Sequence, residues 1–213
     1  ERSHGGNSTI EIEYINANGS YGSYLSPPPH ASGTTDSRPS IIRLDNGNFA
    51  VGWTRTIGGQ SEVWPAIYND SGAVVRLPTQ LDTAGSINDR IELVATATGF
   101  AAAYIDNDTA TGANAVSIVT FNAAGTVLAS SKIGDIPGGA VETSVVRHAN
   151  GMLTVSWLTG SGLLDAALID SASLVVLATN SNAAAANYTL AGPASAAFIA
   201  TQTALLAQLK AVP

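Results

Sequence analysis

Apolar residues along this chain come in short β-branched and aromatic runs, punctuated by Gly, Asn, Asp and Ser. That rhythm predicts strands joined by hairpins rather than helices. Residues 40–53, SIIRLDNGNFAVGW, place two apolar stretches around Asn46-Gly47, and residues 144–157, SVVRHANGMLTVSW, repeat them 104 positions later. Midway lies 90–104, RIELVATATGFAAAY, with the same two stretches around a glycine turn. Phe49, Phe100 and Leu153 follow one another at steps of 51 and 53, as do Trp53, Tyr104 and Trp157, so the period is about 52 residues. Each copy is followed by a second half-repeat, at 62–77, 114–129 and 163–178, made of an alternating strand, a turn signal and another β-rich strand.

In the first repeat, strands are expected at 40–44, 49–54, 63–69 and 73–77. Asn46-Gly47 serves as the first turn because both residues tolerate positive φ, RTIGGQS forms a longer Gly-rich loop, and NDSG forms the last turn. Four strands per unit at this period predict an all-β chain: a β-propeller-like array of four-stranded antiparallel blades, about three and a half repeats long. A single twisted sheet cannot cover both its faces, so each stacks on its neighbours. Phe49, Trp53, Phe100, Tyr104 and Trp157 are therefore expected between blades. The chain divides into an N-terminal segment with a half-blade hairpin (1–25), a Pro-rich linker (26–39), three blades (40–180) and a tail (181–213). In that tail Phe198, Gln202, Leu205, Leu206 and Leu209 recur at helical spacing among strong helix formers, which predicts a terminal amphipathic helix.

The pattern P.I..L.NG.F.V.W, from Pro39 to Trp53, followed by Y...G..V, from Tyr68 to Val75, resembles the roughly 50-residue blade repeats of large secreted bacterial proteins. These include adhesins and repeat-in-toxin type proteins; some phage particle proteins carry similar blades. The resemblance spans about residues 8–178, and the second repeat departs from it with Ala-Thr-Gly for Asn-Gly and Tyr104 for Trp. It implies a scaffold that carries many unrelated sites, so function must come from the residues themselves.

Composition narrows the classes. The 213 residues are 45% hydrophobic and 12% charged with a net charge of −7, enough for a substantial core and without the cationic surface that nucleic acid requires. The absence of cysteine excludes disulfides, thiolate zinc sites and cysteine nucleophiles. No apolar run reaches the ~18 residues that span a bilayer. With lysine only at Lys132 and Lys210, amid abundant Ala, Gly, Ser, Thr and Asn, the bias favours an extracellular or virion-surface protein over a cytosolic enzyme. The chain opens on Glu1 rather than Met, consistent with removal of a leader or longer upstream region.

Candidate chemistry is sparse. His4, His30 and His148 have no metal-ligand spacing, and GSG at 160–162 falls between strands rather than before a helix, which argues against a serine-hydrolase elbow. Asp36, Asp89 and Glu142 align just before the innermost strands, where three acids would ring one mouth of a central channel; converging carboxylates could bind a cation or hydrolyse a glycan. Arg38, Arg43, Arg90 and Arg147 recur nearby, so neutralising ion pairs compete with that reading. In DNDTATGAN, Asp106 and Asp108 have the spacing that begins a calcium loop, but the downstream Glu is missing and a metal-free polar loop is expected. Trp64 and Tyr68 on the third strand are candidate sugar-stacking aromatics, or else cover the neighbouring blade.

Two functions follow. One is a non-enzymatic structural or binding module of an extracellular or virion-surface assembly, recognising a receptor or glycan, with no cofactor. Its N-terminal hairpin and C-terminal tail would make the contacts of a homo-oligomer or larger assembly. The alternative is a glycan-active propeller enzyme with carboxylates at the channel mouth.

Overall fold

The computed structural model describes residues 2–4, 7–15, 18–25, 33–81, 86–108, 114–133, 136 and 139–182. Strands β1 (Arg2–His4) and β2 (Asn7–Thr9) pair in one short ladder, and β3 (Ile12–Ile15) and β4 (Tyr21–Leu25) in another. Three four-stranded antiparallel sheets follow. The first is β5 (Thr34–Arg43), β6 (Phe49–Ile57), β7 (Gln60–Tyr68) and β8 (Val74–Arg76). The second is β9 (Ser86–Ala95), β10 (Gly99–Asp108), β11 (Asn114–Asn122) and β12 (Val127–Ile133). The third is β13 (Ala140–Arg147), β14 (Leu153–Thr159), β15 (Leu164–Ile169) and β16 (Val176–Asn182). Each sheet is a meander in chain order, and the first strands β5, β9 and β13 touch in sequence, which makes them the innermost strands of a β-propeller array.

Burial on both faces explains why β10 reads as the unbroken apolar run FAAAYI. Phe100, Ala102 and Tyr104 pack toward the first blade with Leu44, Ala50, Val63, Ile67 and Ile91. Ala101, Ala103 and Ile105 pack toward the third with Val145, Leu153, Val155 and Trp157. Trp53, Phe100, Tyr104 and Trp157 are buried as expected. Phe49 is only half-buried: its ring lies at the edge of the blade, 5.6 Å from the Arg43 guanidinium. On the outer face of the first blade, Ile10 joins Val51, Trp53, Ala66 and Tyr68, so the N-terminal segment stands where a preceding blade would stand.

Three boundaries differ from expectation. The linker assigned to 26–39 is shorter, because β5 begins at Thr34; Pro39, which cannot donate to a ladder, is accommodated by a bulge between Ser37 and Ser40 in which Arg38 takes a φ of 54°. The tight two-residue hairpin lies not at Asn46-Gly47 but at Gly58-Gly59, where Ile57 pairs with Gln60 and both glycines have positive φ. RTIGGQS is thus mostly strand. At the first turn only Gly47 is left-handed, while the Asn46 side chain accepts the Asn48 N–H at 3.1 Å. At the other end β16 runs to Asn182, into the span assigned to the tail; the helix expected further on lies outside the described residues. No helix occurs among the described residues, so none there is long and apolar enough to cross a membrane.

Candidate functional site

The three acids aligned as a ring do not converge. Asp36 lies inside β5, directly opposite Arg55 of β6, and is fully buried. Arg55 Nε donates to Asp36 Oδ1 at 2.7 Å and Arg55 Nη2 to Oδ2 at 2.8 Å, a two-pronged pair. The same guanidinium lies 5.6 Å from the Trp53 ring and 5.2 Å from the Trp64 ring. The Ser8 hydroxyl donates to the Asp36 carbonyl at 2.7 Å, tying the N-terminal segment to this corner.

Asp89 and Glu142 are each paired with an arginine of the preceding blade. Arg38 reaches from the bulge of β5 to Asp89 on β9, and Arg90, in the equivalent bulge of β9 with a φ of 56°, reaches Glu142 on β13. Asp89 also accepts the Thr54 hydroxyl at 2.9 Å and the Arg90 backbone N–H at 2.8 Å. The competing expectation of ion pairs therefore describes this geometry, as a ladder that staples one blade to the next.

An acid not singled out from the sequence lies near Glu142. Glu92 stands 52 residues after Ser40 and 52 before Ser144, and accepts the Ser40 hydroxyl at 3.3 Å. Burial pushes its carboxyl above the ordinary glutamate range, the Ser40 hydrogen bond opposes this, and the nearby Glu142 charge adds to it. Strict 52-residue alignment was the available signal: an acid stands where both neighbouring repeats have serine.

The remaining candidates sit elsewhere. Tyr68 is buried, and that burial pushes its phenol upward against the opposing influence of Arg55; Trp64 is partly buried against Trp53. Both cover the inner face of the N-terminal segment instead of standing out as stacking platforms. Asp106 is buried on β10, where Ser117 Oγ donates to its Oδ2 at 2.8 Å and Lys132 Nζ lies 2.8 Å from the same oxygen. Lys132 is thus the cation beside this carboxylate. Asp108 ends β10, and the loop after it lies outside the described residues. Among the described residues no cluster of three or more His, Asp and Glu suited to a metal forms. His148 takes the place of Leu44; its Nε2 lies 2.7 Å from Thr154 Oγ1 and burial lowers its pKa.

No protein-family model matches the chain, and no curated protein matches it in sequence. Solved structures do match in shape. A Hadza microbial sialidase superposes with a TM-score of 0.56 at 10% identity over 79% of this chain and 39% of its own. A family 117 glycoside hydrolase produced by the marine bacterium Zobellia galactanivorans superposes with a TM-score of 0.48 at 11% identity over 78% of this chain and 59% of its own. This chain therefore spans less than two thirds of the length of either. At these identities the likeness shows the β-propeller fold alone.

Proposed function

We propose that the chain is a non-enzymatic binding module on a propeller scaffold, one part of a larger surface assembly, and that its ligand is a glycan. The observation that carries this reading is the state of the inner carboxylates: Asp36 is buried under Arg55, Asp89 is held by Arg38 and Glu142 by Arg90. Hydrolysis of a glycoside needs one carboxyl to give a proton and a second to act as nucleophile or base. Here the carboxylates are engaged by guanidinium groups instead, Asp36 within the first blade and Asp89 and Glu142 as links from one blade to the next. The neighbour of the same fold named as a sialidase supports a glycan as the ligand class and lends weight to the second reading below as well. A lysine-poor composition supports placement outside the cell or on a particle.

The test is to incubate the protein with immobilised glycans and with chromogenic glycosides of the same sugars. Retention without release of the chromophore is the expected result. Release that disappears in Glu92→Gln and in Glu142→Gln would overturn the reading and favour the second one, a glycan-active propeller enzyme. That second reading has its own support in Glu92, a carboxyl pushed upward in pKa by burial and by the neighbouring Glu142, as a proton donor requires.

A further inference from the structure

The first two blades differ at the cross-strand pair that holds the core aromatic of the second strand. In the first, Trp53 on β6 faces Trp64 on β7, and the indole of Trp64 fills the space above its partner. In the second the same pair is Tyr104 with Ser117. Exchanging an indole for a hydroxymethyl group leaves a cavity of about 330 Å³ against β10, β11 and β12, closed on one side by Leu81 from the first blade. That volume falls in the ~300–1,000 Å³ range of small-molecule sites.

Its walls are chemically specific. Leu81, the Tyr104 ring and Val119 offer apolar surface, whereas Asp106, Ser117 and Ser130 offer oxygen. The Asp106 side chain is wholly buried, and although its Oδ2 is engaged by Ser117 and Lys132, its Oδ1 has no hydrogen-bond partner in the protein. A buried carboxylate oxygen without a donor is costly, which marks it as an acceptor suited to a ligand O–H or N–H. Because Ser117 already donates to Asp106, the lone pairs of its hydroxyl are acceptors as well. Lys132 balances the Asp106 charge, so the cavity carries no net charge to attract an anion or a cation.

We propose that this cavity binds a neutral, polyhydroxylated ring, one pyranose residue of a glycan. The ring's hydroxyls donate to Asp106 Oδ1 and Ser117 Oγ, and its C–H face lies on the apolar wall. This rests on the glycan-binding reading above and names the site and the sugar class for it.

The test is amide-resolved NMR titration of the full chain with free glucose, galactose, mannose and N-acetylglucosamine, and with glucuronic acid as the charged comparison. The expected result is saturable shifts at Tyr104, Ser117 and Lys132 for at least one neutral sugar. Asp106→Asn should weaken that binding about tenfold or more, the size of one charge-assisted hydrogen bond. Since that change also disturbs a buried ion pair, Val127→Trp serves as the second variant: Val127 lines the cavity at 48% exposure, so a larger side chain there obstructs the mouth without entering the core. Failure of every neutral sugar to bind, or stronger binding of glucuronic acid, overturns the proposal. Sugar binding that survives Val127→Trp in a folded protein also overturns it, while leaving glycan binding at another site intact.

Discussion

Arg55 lies flat along the carboxylate of Asp36, two hydrogen bonds joining a pair that solvent scarcely reaches. Removing one partner of such a pair strands a buried charge, which typically costs about 3–5 kcal/mol. Arg55→Ala is therefore expected to be among the most destabilising single changes in the first blade. Replacing both residues with apolar ones of similar size should restore much of the loss. Denaturant unfolding of the single and double variants checks this; a single variant within 1 kcal/mol of wild type, on the order of a surface ion pair, would show the pair to be dispensable.

Trp53 is fully buried between the N-terminal segment and the first blade. Truncation to Ala should cost about 3–5 kcal/mol, the range for large aromatic deletions in cores. Trp53→Phe should cost less, since it keeps most of the packing and removes an indole N–H that has no acceptor. An unchanged melting temperature for Trp53→Ala would place the residue outside the core.

Gly52 lets the first two blades approach. A Cβ there would lie 2.9 Å from Ile91 Cδ1 and 3.2 Å from its Cγ1 and Cγ2. Gly52→Ala should therefore cost about 1–3 kcal/mol through overpacking. Combined with Ile91→Ala, which makes room, the total should fall short of the sum of the two single effects. Additive losses in chemical denaturation would mean the two positions do not press on each other.

Glu92 predicts a pH signature. Its folded-state pKa is raised, so its contribution to stability is fully present below the ordinary glutamate value and is lost as pH rises through the higher folded value. Glu92→Gln keeps an acceptor for Ser40 but cannot ionise. Its melting temperature relative to wild type should therefore climb as pH goes from acid toward neutral. A gap between the two proteins that stays constant with pH would contradict the assigned environment.

What the sequence determined by itself was whatever depends on neighbours close along the chain. Strands and hairpins follow from alternating apolar runs and turn residues within a few positions, and the 52-residue period follows from Trp53, Tyr104 and Trp157, each buried on the second strand of its blade. The aromatic core was legible for the same reason. Which acid meets which base was decided by the tertiary structure. A strand turns successive side chains to opposite faces, so the bulges at Arg38 and Arg90 redirect the residues beside them. Asp36, Asp89 and Glu142, spaced at steps of 53, therefore occupy two different settings, whereas the true counterparts of Asp36 are Asn88 and Ala140, each a step of 52 apart and each opposite the residue two beyond a core aromatic. The cavity over Tyr104 belongs to the same class of fact: Ser117 is unremarkable in sequence, and only the cross-strand register that sets it where Trp64 sits in the first blade shows that a space has been left.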